Sequence, residues 1–301
     1  MHTLIVGGTG FIGKKLSEEL INSGYNVAIL TRSKVRAKDN NEKIKLIEWD
    51  KIILGSSALK KVTCVVNLAG ESIGGGRWTK SKKEKIVRSR LDTTQLINDA
   101  IERKIISPRV LINASAIGFY GDRGEEELSE ESKAGDDFLA NVCKQWEEKA
   151  SIAKKFGVRV SYLRIGVVLG MGGALERMIV PYRFYMGGTI GSGNQWVSWI
   201  HINDLVEIIR FVIENESIVG PVNATSPTPV RMKEFCSAIG TTMNRPSWLR
   251  VPQLILRVGL GEMADMILNS QRVYPNKITN SGYEFRFSRV NEALEDVIKK
   301  I

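Results

Sequence analysis

The chain has 301 residues, of which 43% are hydrophobic and 25% charged, enough for one large α/β domain with a smaller appendage. No apolar run reaches the roughly 18–20 residues of a membrane span, and the amino terminus enters a strand pattern without a basic-then-apolar leader, so no membrane partner is expected. Forty-three basic residues against 33 acidic give +10, a charge that suits nucleic acid, an anionic surface or a phosphorylated ligand.

In chain order, Thr3 to Val6 reads as a strand leading into a helix over 11–22. A strand over 26–31 ends in a polar loop, and another over 44–49 stops at Asp50. Residues 63–68 are apolar enough for a strand buried on both faces. A long helical stretch over 79–103, a strand over 109–114, a helix over 138–148 and a strand over 158–165 follow. This alternation predicts crossover units and a parallel sheet. After Gly166 the rhythm breaks into glycine-rich pieces around a short helix from Ala174, an insertion at about 166–195, before an element over 200–215. From Gly220 onward, six prolines punctuate short pieces, predicting a less regular lobe and a division into 1–220 and 221–301.

The stretch G-G-T-G-F-I-G follows the first strand and opens the first helix. Glycines at 7, 10 and 13 let the backbone turn tightly against a pyrophosphate, and the helix start supplies free N–H groups. The candidate contacts there are Gly7, Thr9, Gly10, Phe11, Ile12 and Gly13. At the end of the second strand an NAD site would place an acidic residue, whereas this chain has Thr31, Arg32 and Ser33. An arginine flanked by hydroxyls suits the 2′-phosphate of NADP(H); the plainer alternative is a surface arginine. Asp50 is placed either to accept from an adenine amino group or to begin a helix. Leu68, Ala69 and Gly70, after Asn67, either leave room for adenosine or simply pack tightly.

The densest basic cluster, Lys80 to Arg90, spreads around its helix without a reader motif, so nucleic acid is not expected as a partner. Cys64, Cys143 and Cys236 fit neither a disulfide framework nor a zinc motif; with only two histidines, no metal site is expected, and the expected compartment is the cytoplasm.

The motifs G-G-T-G-F-I-G, N-L-A-G-E (67–71), F-L-A-x-V-C-x-x-W-E (138–147), L-R-I-G-V-V-L-G (163–170) and G-S-G-x-Q-W-x-S-W-I-H-I-x-D (191–204) resemble the extended short-chain dehydrogenase/reductases. The resemblance is to their atypical branch of nucleotide-sugar epimerase-like "epimerase family" proteins, which close with a C-terminal domain of unknown function. It implies a Rossmann-type doubly wound parallel sheet binding NADP(H), with a smaller C-terminal lobe on the substrate side. A small-molecule substrate, a sugar nucleotide by analogy of fold, is implied as well. It further implies that Arg90 turns toward the cofactor phosphates and that Gly166 lies beside the nicotinamide.

In ordinary members of that superfamily a tyrosine transfers the proton, a lysine one helical turn later holds the ribose, and a serine orients the substrate. Here Lys144 matches the lysine and Ala140 stands in the tyrosine's place. Ser115 matches the serine approximately, with Ala116 competing for that position. Tyr120 and Asp122 follow in the same loop. His201 with Asp204 forms either an acid/base pair or a structural one, and Trp196 and Trp199 either stack on a ligand or pack in the core. Cys143 is read as packing against the sheet. Two functions follow: an NADP(H)-dependent oxidoreductase or epimerase with Ser115 and Lys144 as its catalytic candidates, or a non-catalytic NADP(H)-binding protein acting through a protein partner.

Overall fold

The computed structural model describes residues 1–31, 44–54 and 59–299. Seven strands form one sheet: β1 (His2–Val6), β2 (Asn26–Thr31), β3 (Ile44–Glu48), β4 (Cys64–Asn67), β5 (Val110–Ala116), β6 (Arg159–Ile165) and β7 (Gly220–Ala224). Their order is β7-β6-β5-β4-β1-β2-β3, and every neighbouring pair is parallel. Such a sheet needs cover on both faces, which explains why Leu4, Ile5, Val6, Val65 and Val66 are all fully buried. The helices α1 (Phe11–Asn22) and α6 (Ile202–Glu214) cover one face, and α3 (Lys80–Glu102) and α4 (Phe138–Ser151) cover the other. The architecture is the Rossmann-type fold the sequence implies.

The chain leaves β1 toward β2 on one side and returns to β4 on the other, so the strand order reverses between β1 and β4. That reversal opens a crevice at the carboxyl ends of the two strands, where such sheets bind ligands. Four side chains keep this part of the sheet rigid. The amide of Asn67 donates to Asn113 Oδ1 (2.7 Å) and to Thr94 Oγ1 (3.1 Å), which also accepts from Trp146 Nε1 at 3.0 Å. Buried polar groups with their partners made fix geometry in a way apolar contacts do not.

Three details differ from the pattern in the sequence. Trp49 begins a short helix, α2 (Trp49–Leu54), instead of ending a strand. The sheet continues through β7 to Ala224, past position 220; Pro221 is tolerated there because β7 is an edge strand whose outer side forms no ladder. Residues between Gly166 and Trp199 share a second core with the C-terminal part: Leu169, Leu175, Ile179 and Trp199 pack with Phe235, Ile239 and Leu294. This core is built from α5 (Ala174–Arg183), α7 (Met232–Met243) and the final helix, Val290–Ile298.

Candidate cofactor cleft

At the end of β1 the chain turns through Gly7, whose φ of +86° lies in the left-handed region that favours glycine. A Cβ at Gly7 would stand 2.9 Å from Ala69 N, and one at Gly13 would stand 2.6 Å from Gly8 Cα. Glycine is therefore required for the turn to lie on β4's exit and for α1 to approach the turn. Gly10 is different: a Cβ there meets only the Gly7 carbonyl oxygen, at 3.3 Å. Gly10 is the N-cap of α1 and supplies no capping side chain, and the first turn holds no acidic residue. The first intrahelical bond is Lys14 N–H to Gly10 O, which leaves the N–H groups of Phe11, Ile12 and Gly13 without intrahelical partners. This positive, glycine-walled helix end fits a dinucleotide pyrophosphate.

The structure brings most of the candidate cofactor residues to this crevice. Gly7 lies against Leu68 and Ala69, whose N–H is held by Asn67 Oδ1 at 3.3 Å. Gly70 lies against the Arg90 guanidinium, which a Cβ would meet at 3.0 Å. Arg90 donates to the carbonyls of Ile86 (3.0 Å) and Glu71 (3.3 Å) and stands 5.0 Å over the Trp146 ring. Burial holds its pKa below the ordinary arginine value. Thr31 is buried at the end of β2. Arg32 and Ser33 lie outside the described residues. Asp50 is exposed in the first turn of α2. Gly166 lies between Ser198 O and Thr225, too close for a Cβ. Phe11 meets the insertion directly, since side chains at Gly170 or Gly173 would strike its ring.

The catalytic candidates are arranged otherwise. Asp137 caps α4 by accepting from Ala140 N–H at 2.8 Å, and Ala140 is fully buried. Lys144, one turn on, is half-buried and has no hydrogen-bond or ion-pair partner among the described residues. Ser115 is buried, and its hydroxyl donates to Glu147 Oε1 at 2.7 Å. Glu147 in turn forms a two-pronged pair with Arg164, 3.0 Å at each oxygen. Arg164 also donates to Tyr120 Oη (3.1 Å) and the Glu130 carbonyl (3.2 Å), and Tyr120 donates to Asn223 Oδ1 at 2.6 Å. Burial pushes the Tyr120 phenol up to about 12 and the Cys143 thiol up to about 11, so neither is a ready acid or nucleophile near neutral pH.

His201 and Asp204 hold the C-terminal segment. His201 Nδ1 accepts from Asn203 N–H at the start of α6, and Nε2 faces Asp296 at 3.2 Å. Its ring stacks on Phe287 with centroids 3.8 Å apart. Asp204 accepts from the backbone N–H groups of Arg286 and Phe287, each at 2.9 Å. Trp199 is core, and Trp196 lies under the guanidinium groups of Arg231 and Arg272. Asp122 Oδ1 accepts from Ser270 N–H at 2.9 Å.

Sequence reasoning missed the Glu147–Arg164 pair and its partners Glu130 and Asn223. Glu147 ends one of the quoted motifs and Arg164 stands second in another, but nothing in either motif reports that they meet.

The loop from Glu71 to Trp78 follows Gly70 and reaches three other elements. Glu71 pairs with Lys82 (2.6 Å), the Gly74 carbonyl accepts from Arg177 on α5, and Arg77 donates to the carbonyls of Val258 and Gly259. Beside it lies a cavity of about 620 Å³ lined by Trp78, Val87, Phe138, Lys83 and Glu262 among others. None of the candidate cofactor residues lines that cavity.

Residues 3–223 match the model of the NAD dependent epimerase/dehydratase family, and residues 251–297 match the domain of unknown function DUF1731. The chain is 40% identical over 300 residues to the "Epimerase family protein YfhF" of Bacillus subtilis (strain 168), covering 99% of this chain and 98% of that one. It superposes on the crystal structure of human epimerase family protein SDR39U1 (isoform 2) with NADPH at a TM-score of 0.92, with 32% identity and full coverage of both chains. A nucleoside-diphosphate sugar epimerase from Corynebacterium glutamicum is also 32% identical, with a TM-score of 0.79 over 99% of this chain and 58% of that one.

Proposed function

Because this chain belongs to the NAD dependent epimerase/dehydratase family, we propose that it is an NADP(H)-binding atypical short-chain dehydrogenase/reductase, an oxidoreductase or sugar-nucleotide epimerase that works without the usual catalytic tyrosine. The observation that carries the reading is the uncapped start of α1 behind Gly7, Gly10 and Gly13, packed onto Leu68 and Ala69 where the strand order reverses. The NADPH in the human relative's structure and the nucleoside-diphosphate sugar in the Corynebacterium relative's name support the choice of cofactor and of substrate class.

Each group in the cleft then has a task. The N–H groups of Phe11, Ile12 and Gly13 bind the pyrophosphate, and Arg90 adds a cation nearby. Arg32, with the hydroxyls of Thr31 and Ser33, holds the 2′-phosphate. Asp50, Leu68, Ala69 and Gly70 surround the adenosine, and Gly166 borders the nicotinamide. The Lys144 ammonium, without a partner among the described residues, donates to the nicotinamide ribose. The cofactor, when bound, supplies or accepts a hydride.

A second reading rests on the fully buried Ala140 and on the Ser115 hydroxyl turned to Glu147. Neither position offers a proton to a substrate, which favours a non-catalytic NADP(H) binder whose C-terminal lobe meets a protein partner. One experiment separates the two readings. NADPH deuterated at the transferable position is incubated with the protein and a metabolite extract, and the label is followed by mass spectrometry, with Gly10→Val and Lys144→Met as controls. Label in one metabolite with the intact protein alone establishes an oxidoreductase. Label that stays on bound cofactor excludes net hydride transfer to those metabolites and supports the binder once an epimerase that returns the hydride to its own cofactor has been excluded.

A further inference from the structure

Exposed large apolar side chains are common singly but here they are concentrated. Val180, Phe184, Tyr185 and Met186 stand out at the end of α5, and Trp248 stands out on the neighbouring strand Ser247–Val251. Phe184 and Trp248 are 67% and 68% exposed, in a chain whose other tryptophans and phenylalanines are mostly sheltered. Two contacts join the strand to the turn: Trp248 Nε1 donates to the Tyr185 carbonyl at 3.1 Å, and the Arg245 guanidinium stands 4.5 Å over the Tyr185 ring. Tyr185 has a φ of +58°, a left-handed conformation that is unfavourable for a side chain of this kind. The turn thus holds a strained backbone while it presents three consecutive large side chains to solvent. Directly after the strand, α8 (Gln253–Leu260) has no buried residue, and Leu254, Ile255 and Val258 lie on the side opposite the half-buried Leu256 and Leu260.

The segments that carry these side chains are basic, with Asp265 and Glu234 among the acids nearest to them. Residues 177–203 and 235–261, which contain the whole patch, hold no Asp or Glu, yet they hold Arg177, Arg183, Arg245, Arg250 and Arg257. Of these, Arg257 is paired with Asp265, while Arg250 donates only to the carbonyls of Gly191 and Ser192 and keeps its net charge. Aromatic side chains with polar tips, flexible apolar chains and an excess of arginines over acids are the composition that seats at a lipid–water boundary. A second copy docked about a two-fold axis would set the same arginines against themselves, which charge disfavours.

We propose that this face is a peripheral membrane-binding surface, with Phe184, Tyr185, Met186 and Trp248 entering the interfacial zone of an anionic phospholipid bilayer and Arg183, Arg245 and Arg250 meeting lipid phosphates. The proposal departs from the sequence expectation of no membrane partner. That expectation rested on the lack of a spanning run, and a peripheral surface needs none; among the described residues no helix is long and apolar enough to cross a membrane.

The test is co-sedimentation of the full chain with vesicles of phosphatidylcholine alone and of phosphatidylcholine with about one-third phosphatidylglycerol, at low and high salt. The protein is expected to sediment with the anionic vesicles and to be released by salt. Phe184→Ser combined with Trp248→Ser, and separately Arg183→Gln with Arg245→Gln and Arg250→Gln, should each weaken binding at least about tenfold. Because these side chains are exposed, both variants should fold and keep the wild-type NADPH affinity, with only a small drop in melting temperature from the lost contacts to Tyr185. Three results would overturn the proposal. One is no sedimentation with anionic vesicles. Another is undiminished binding by both folded variants. The third is retention on an acidic polypeptide through the same arginines without vesicle binding, which would assign the surface to an acidic protein.

Discussion

Ser115 Oγ lies 2.7 Å from Glu147 Oε1, and Glu147 is at the same time clasped by Arg164. The hydroxyl at the end of β5 is therefore part of a buried ion-pair network that ties β5, α4 and β6 together. Ser115→Ala should lower stability by about 1 kcal/mol, because one acceptor of a buried carboxylate loses its donor. Glu147→Ala should lower it by about 3–5 kcal/mol, since Arg164 is left as an uncompensated buried charge. Urea unfolding of the two variants measures the difference. A larger loss for Ser115→Ala than for Glu147→Ala would remove the network from this account.

Ala140, in the first turn of α4, is fully buried, so restoring the residue type that usually stands there is not a simple gain. Ala140→Tyr should destabilise the protein by about 1–3 kcal/mol through overpacking. It should also create no hydride transfer on its own. Thermal melting and the labelled-cofactor assay read both outcomes.

Lys144 has no partner among the described residues, so the fold does not depend on its charge. Lys144→Met should leave unfolding within about 0.5 kcal/mol of wild type. It should weaken NADPH roughly ten- to a hundredfold through the loss of charge-assisted bonds to ribose hydroxyls. Equal affinity in a folded variant would take Lys144 out of the cofactor site.

The Tyr120 phenol is shifted by burial from 10.0 to about 12, against the opposing pull of Arg164. Between those values the unfolded chain has released its proton while the folded chain keeps it, so the native state binds more protons. Stability should therefore fall as pH rises from about 10 to 12. Tyr120→Phe should be less stable near neutral pH, where its bonds to Arg164 and Asn223 are lost. It should also lack about 2–3 kcal/mol of the wild type's decline across that alkaline window. Urea midpoints measured over the pH range compare the two slopes.

What could be read from the sequence was local. The helix over 11–22 and the strand over 26–31 lie where periodicity placed them, and glycine spacing located the turn that leads into α1, because each signal is complete within a dozen residues. What could not be read was pairwise and distant. Tyr120 meets Asn223 across 103 positions, and Asp204 meets Arg286 across 82, contacts that exist only once the sheet has assembled. The sequence leaves His201 and Asp204 either an acid/base pair or a structural one; their bonds to Asn203, Asp296, Arg286 and Phe287 make them anchors for the C-terminal segment. The helix α7 did carry a local signal, Glu234 accepting from Arg231 N–H three residues earlier, but the prolines around it obscured the pattern.

The cofactor site itself is tested most directly by calorimetric titration of NADPH and NADH into wild type, Gly10→Val and Arg32→Ala. At Gly10 a Cβ meets only the Gly7 carbonyl at 3.3 Å, so the valine variant should fold, as circular dichroism would report, while its side chain fills the approach of the pyrophosphate. The account predicts that wild type binds NADPH more tightly than NADH, that Arg32→Ala erases the preference, and that Gly10→Val loses at least about tenfold in affinity for both. Undiminished binding by a folded Gly10→Val protein, or no binding of either nucleotide by wild type, would contradict it.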